Sequence, residues 1–117
     1  MATEELELLS GTVDLLVLRT LAWGPQHGFA IAKWIKTTSD DMLRIEDRAL
    51  YLALHRLEER GLVESEWGLS ENNRRARFYQ LTRAGRKQLQ NRTDHWTQYA
   101  KAISKVLNAP APAATSV

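Results

Sequence analysis

Apolar positions recur every three or four residues in four stretches of the chain and every second residue in one, which predicts four helices and a strand region. Val13, Leu16, Val17, Thr20 and Leu21 mark a first helix over residues 12–23, with Ser10 or Thr12 as its cap. The run Gly24-Pro25-Gln26-His27-Gly28 breaks the period. Pro25 has no amide hydrogen and the glycines accept positive φ, so a turn is expected there. Phe29, Ile31, Ala32 and Ile35 then define a second helix over residues 28–38, closed by Thr37-Thr38-Ser39-Asp40-Asp41.

Asp47 suits the N-cap of a third helix over residues 48–60, because its carboxylate can accept from the free amides of the first turn. Leu50, Ala53, Leu54 and Leu57 fall within about 100° of arc and form its core face, and Arg48, Leu52, His55, Arg56 and Glu59 point away. Gly61 ends the helix. Beyond it the period shortens: Val63, Ser65 and Trp67 lie opposite Glu64 and Glu66, a strand over residues 62–67. Residues 75–81 hold Phe78 and Tyr79 and make the second strand of a hairpin with a long basic tip. Thr82 caps a final helix that runs to Leu107, whose Leu89, Trp96, Tyr99, Ala100, Ile103, Val106 and Leu107 form a narrow, heptad-like seam. The tail over residues 109–117, with Pro110 and Pro112, has no period and is expected to be disordered.

The order helix, helix, helix, hairpin, helix predicts a mainly α (α+β) fold, a winged helix-turn-helix with a long C-terminal helix. In that arrangement the third helix enters a major groove and the hairpin lies alongside. Residues 11–82 would form the DNA-binding domain, residues 83–108 a dimerisation helix and residues 109–117 the tail. With 117 residues the chain has room for one core. It holds no cysteine, which removes disulfides and thiolate chemistry. A glutamate-bearing start and no apolar run of about 20 residues predict a cytoplasmic protein.

The net charge of +2 is unevenly spread. Residues 1–47 carry four Lys/Arg against eight Asp/Glu, and residues 48–117 carry twelve against six. Arg74, Arg75, Arg77, Arg83, Arg86, Lys87 and Arg92 follow one another with no acid among them, the pattern of a surface that meets a polyanion. On the third helix, Arg48, His55 and Arg56 can donate to bases or phosphates, and Tyr51 can reach a phosphate oxygen. Arg74, Arg75 and Arg77 would serve the hairpin, and Asn73 at its tip either makes the turn or bonds the sugar-phosphate chain. Basic residues opening the last helix oppose the helix dipole, so either an external anion or a carboxylate such as Glu64 should answer them.

His27, His55 and His95 have no second histidine at helical spacing, so no metal is expected. The phosphate-cradling and nucleophile-elbow motifs are missing, and no cofactor or catalysis is predicted. The competing reading is a winged helix that docks a protein partner, with Leu52 as its apolar hint.

Several stretches resemble the PadR family of bacterial transcriptional regulators, in its short form with one C-terminal helix: GTVDLLVLRTL (11–21), GPQHGFAI (24–31), Leu50-Tyr51, LHRLEERGLV (54–63) and NRRARFYQLTRAGRKQL (73–89). The resemblance implies a homodimer, usually a repressor, with helix three and the wing on DNA; two-fold symmetry then makes the expected operator a pseudo-palindrome. It also implies a dimer interface on the last helix, here Leu89, Trp96, Tyr99, Ile103 and Val106. Some members release DNA on binding flat aromatic compounds, which makes Trp96 a candidate wall for a small planar aromatic ligand. The family's Gly-Ser-Leu-Tyr-Pro run reads Arg48-Ala49-Leu50-Tyr51-Leu52 here, so helix three should start earlier and lack the serine contact.

Overall fold

The computed structural model describes residues 11–113. Helix α1 (Thr12–Thr20) runs into a 3-10 turn (Leu21–Trp23) and a two-residue strand β1 (Gln26–His27). Helices α2 (Gly28–Thr38) and α3 (Asp47–Glu59) follow, then strands β2 (Val63–Leu69) and β3 (Arg75–Leu81), and finally α4 (Arg83–Leu107). The three strands form one antiparallel sheet in the order β1-β3-β2.

One core joins all of these elements. Val17, Leu18 and Leu21 meet Ile31 and Ile35 of α2, Leu50, Ala53, Leu54 and Leu57 of α3, and Val63, Tyr79 and Leu81 of the sheet. The core face expected for α3 is therefore the one that is buried. Leu89 of α4 also belongs to this cluster, at 9% exposure. This corrects its assignment to a dimer seam: the first two turns of α4 are still against the domain, and the apolar step of three and four passes from core to surface along one helix.

The caps differ in part from expectation. Gly11, at φ 84°, occupies the N-cap of α1 without a side-chain bond, and Ser10 lies outside the described residues. Asp47 is the first residue of α3, not its cap; Glu46 takes that position with no side-chain hydrogen bond, and Asp47 faces the helix's positive end. The expected turn at residues 24–28 contains β1, where pairing of Gln26 with Tyr79 and His27 with Phe78 extends the sheet. His27 then caps α2, its Nδ1 accepting from the Ala30 amide at 3.2 Å. Strand β2 continues two residues past the expected end, to Leu69. Residues 109–113 form no regular element, and the remaining tail, residues 114–117, lies outside the described residues.

Thr82 caps α4 as expected, accepting from the Gly85 amide at 3.0 Å while its hydroxyl donates to the Gly61 carbonyl at 2.6 Å. One side chain thus joins the end of α3 to the start of α4. Gly85 is buried with its α-carbon against the Leu62 carbonyl oxygen, which a Cβ would strike. Glycine to alanine inside a helix ordinarily stabilises by about 1 kcal/mol. Here the backbone contact reverses the sign: Gly85→Ala should cost about 1–3 kcal/mol, read as a lower urea midpoint, whereas a variant as stable as the parent would mean α4 can slide away from Leu62.

Candidate nucleic-acid interface

Arg48, Leu52, His55 and Glu59 stand one above another on the exposed side of α3, at spacings of three and four residues. Arg48 has no hydrogen bond or ion pair with a described residue. His55 Nε2 lies 2.9 Å from Glu59 Oε1, an exposed pair one turn apart. Tyr51 is half-exposed, and its ring fills the space beside Gly28 where a Cβ would go, so the start of α2 sets its orientation.

Arg56 is differently placed. Its Nη2 donates to Asp14 Oδ1 at 2.7 Å; the Asp14 side chain is 7% exposed and that of Arg56 46%. A buried carboxylate needs such a partner. Arg77 is engaged in the same way. Its Nε donates to Ser65 Oγ at 2.7 Å and its Nη2 lies 3.3 Å from Glu58 Oε2, while Ser65 Oγ donates to that same oxygen at 2.7 Å. Glu58 of α3, Ser65 of β2 and Arg77 of β3 form one network that fastens the hairpin to α3. Burial pushes the Tyr79 phenol above its usual range, with Arg77 pulling it back and Glu58 adding to the rise.

The hairpin register places Trp67 opposite Arg77 and Leu69 opposite Arg75, so these four share a face. The Arg75 guanidinium carbon lies over the Trp67 ring, 4.5 Å from its centroid, a cation–π contact. At the tip, Asn73 has φ 60°, a conformation asparagine accepts better than most residues, and its amide bonds the Ser70 carbonyl at 2.8 Å. Of its two expected roles, turn-making is thus the one the backbone displays. The Arg74 side chain is exposed and without a partner among the described residues.

Between α2 and the wing lies an open groove of about 1190 Å³. Trp23, Phe29, Trp34, Tyr51 and Trp67 line it, with Lys33, Arg74 and Arg75 among its cations. In the sequence pattern Phe29 and Trp67 serve only to place a helix and a strand, and Trp23, Phe29, Trp34 and Trp67 have no place in a site. Trp67 sits on the inward side of β2, but the strand outruns the core, so the ring emerges 58% exposed. At the foot of α4, Arg83, Arg86 and Lys87 are exposed with no ion pair to a described residue. Glu64 makes no ion pair with them; its Oε1 accepts from Gln80 Nε2 at 2.8 Å.

Farther along α4, Trp96, Tyr99, Ile103 and Val106 are 44–75% exposed. The Trp96 and Tyr99 rings are tilted against each other at 6.0 Å. Both line a cavity of about 460 Å³ with Leu15, Asn91, Arg92 and His95. Among the described residues no group of His, Asp or Glu is arranged to hold a metal ion, and no helix is long and apolar enough to cross a membrane.

Comparison with known proteins agrees with this architecture. The model of the transcriptional regulator PadR-like family matches residues 17–91, from within α1 to within α4. A transcriptional regulator from Clostridium thermocellum is 31% identical, with 85% of this chain and 97% of that one covered at a TM-score of 0.74. A PadR family regulator from Clostridium difficile is 27% identical over 84% of this chain and all of its own, at 0.73. One from Eggerthella lenta is 30% identical over 86% and 85%, at 0.70.

The Asp14 pair makes an asymmetric prediction. Arg56→Ala strands a buried carboxylate and should cost about 2–3 kcal/mol. Asp14→Ala leaves a half-exposed guanidinium that water can solvate, and should cost less. Urea denaturation of the two variants decides it; equal losses would mean the carboxylate reaches water in the variant.

Proposed function

This chain belongs to the PadR-like family of transcriptional regulators, and we propose that it acts in the cytoplasm as a homodimeric repressor of a pseudo-palindromic operator. The observation that carries this reading is the separation of its basic residues into two sets. Arg56 and Arg77 are held by carboxylates and position α3 and the wing. Among the described residues Arg48, Arg74 and Arg75 have no acid partner, and all three are exposed on α3 and the hairpin. With α3 in the major groove, Arg48 and His55 meet base edges, while Tyr51, Asn73, Arg74 and Arg75 contact the sugar-phosphate chain.

Residues 11–82 are the DNA-binding unit and residues 83–108 the dimerisation helix in this proposal. The exposed stripe Trp96, Tyr99, Ile103 and Val106 supports it, since water contact with that much apolar surface is relieved by a second copy of the same helix. Two-fold symmetry then sets half-sites about one helical turn apart, or a multiple of it. The cavity beside Trp96 and Tyr99 is the place for a small planar aromatic ligand, which relieves repression by as much as its affinity differs between two spacings of the recognition helices.

Selection of bound duplexes from random DNA is the direct test. It should enrich a sequence with inverted repeats, whose affinity falls steeply with salt as phosphate counterions are released. Enrichment of no sequence would remove the operator. Sedimentation at micromolar concentration should give roughly twice the 13.3 kDa chain mass, and a monomer would remove the dimer and the palindrome together.

A further inference from the structure

Leu52 is out of character on α3. It is 49% exposed on a helix that buries Leu50, Ala53, Leu54 and Leu57, and it stands in the outward stripe between Arg48 and His55. Nothing in the core needs it there.

We infer that Leu52 is a specificity residue that reads the C5-methyl group of a thymine in the major groove, close to the base met by Arg48. The inference rests on the DNA-binding reading above and adds the chemistry of one operator position to it. In the major groove, guanine, adenine and cytosine show only hydrogen-bonding groups, and thymine alone adds an apolar methyl. A leucine side chain has no donor or acceptor. Set against the edge of another base, it covers polar groups that then lose water without gaining a partner. Set against thymine, it buries methyl on methyl. The same side chain therefore favours one base and disfavours the other three.

Helix geometry limits where that thymine lies. Arg48 and Leu52 are four residues apart, about 6 Å along the axis at roughly 1.5 Å per residue. Base pairs are stacked about 3.4 Å apart. The thymine thus falls within about two steps of the base that Arg48 contacts, with His55 continuing in the same direction. Ala49, exposed beside this stripe, is small enough to leave the methyl room.

The experiment uses the full chain and the duplex it selects. Each thymine is replaced singly by deoxyuridine, which removes the methyl and leaves every hydrogen-bonding group, and equilibrium affinity is measured at fixed salt for the parent, Leu52→Ala and Leu52→Met. For the parent, one thymine per half-site should lose about fourfold on replacement, the effect of about one buried methyl-sized group. Leu52→Ala should abolish that loss at the same position, and Leu52→Met should keep it. An unchanged urea midpoint for Leu52→Ala shows that the effect is not one of folding. Uridine tolerated at every position, or a loss that Leu52→Ala leaves intact, overturns the inference while the regulator reading stands. Failure to enrich any duplex overturns both.

Discussion

The Asp14 carboxylate is the constraint on which the orientation of α3 depends. It lies in the first turns of α1, buried, and its negative charge is tolerable there only while the Arg56 guanidinium reaches it at 2.7 Å. Glu58 imposes a second constraint two residues from Arg56, on the other flank, where it takes Ser65 and Arg77 of the hairpin. Helix α3 is thereby tied to the core on one side and to the wing on the other. Hydrophobic contact through Leu50, Ala53, Leu54 and Leu57 buries the helix, but apolar packing is non-directional. The apolar stripe selects the buried face of α3, and the two charged ties add directional contacts to α1 on one flank and to the hairpin on the other.

This arrangement divides labour among residues of one type. A basic tract without acids looks uniform along the chain, yet Arg77 pairs with Glu58 while Arg74 and Arg75 have no acid partner among the described residues. Arg75 is held in a third way, over the Trp67 ring, a cation–π contact that leaves its charge unneutralised. In the proposed function, ties at α3 and at the wing hold the unpaired cations of the described residues nearer to one separation, so less freedom would be lost on meeting a duplex.

Local signals in the sequence sufficed for the order and extent of the main elements. The four-residue rhythm of Leu50, Ala53, Leu54 and Leu57, the Thr82 cap and the strand at residues 75–81 depend on neighbours in the chain, and each appears as expected. Ties between distant residues were not legible. Asp14 and Arg56 are 42 positions apart, and an aspartate amid the apolar residues of α1 carries no mark of its partner. Strand β1 is two residues long, too short for any period, and exists only because β3 offers an edge. Leu89 shares its spacing with Trp96 and Ile103 but not its surroundings, because α4 leaves the domain partway along its length. The wing aromatics escaped notice for a similar reason: alternation shows which side of a strand Trp67 is on, but not where the core beneath it ends.

If the carboxylate-held arginines position α3 and the wing while the arginines without an acid partner among the described residues meet phosphate, the salt dependence of DNA binding separates the two sets. The logarithm of affinity against the logarithm of salt should flatten by about one unit in Arg74→Ala, for one lost phosphate contact, and remain parallel to the parent in Arg77→Ala, whose affinity drops uniformly as the wing loosens. A slope that flattens in Arg77→Ala and stays unchanged in Arg74→Ala would contradict the account.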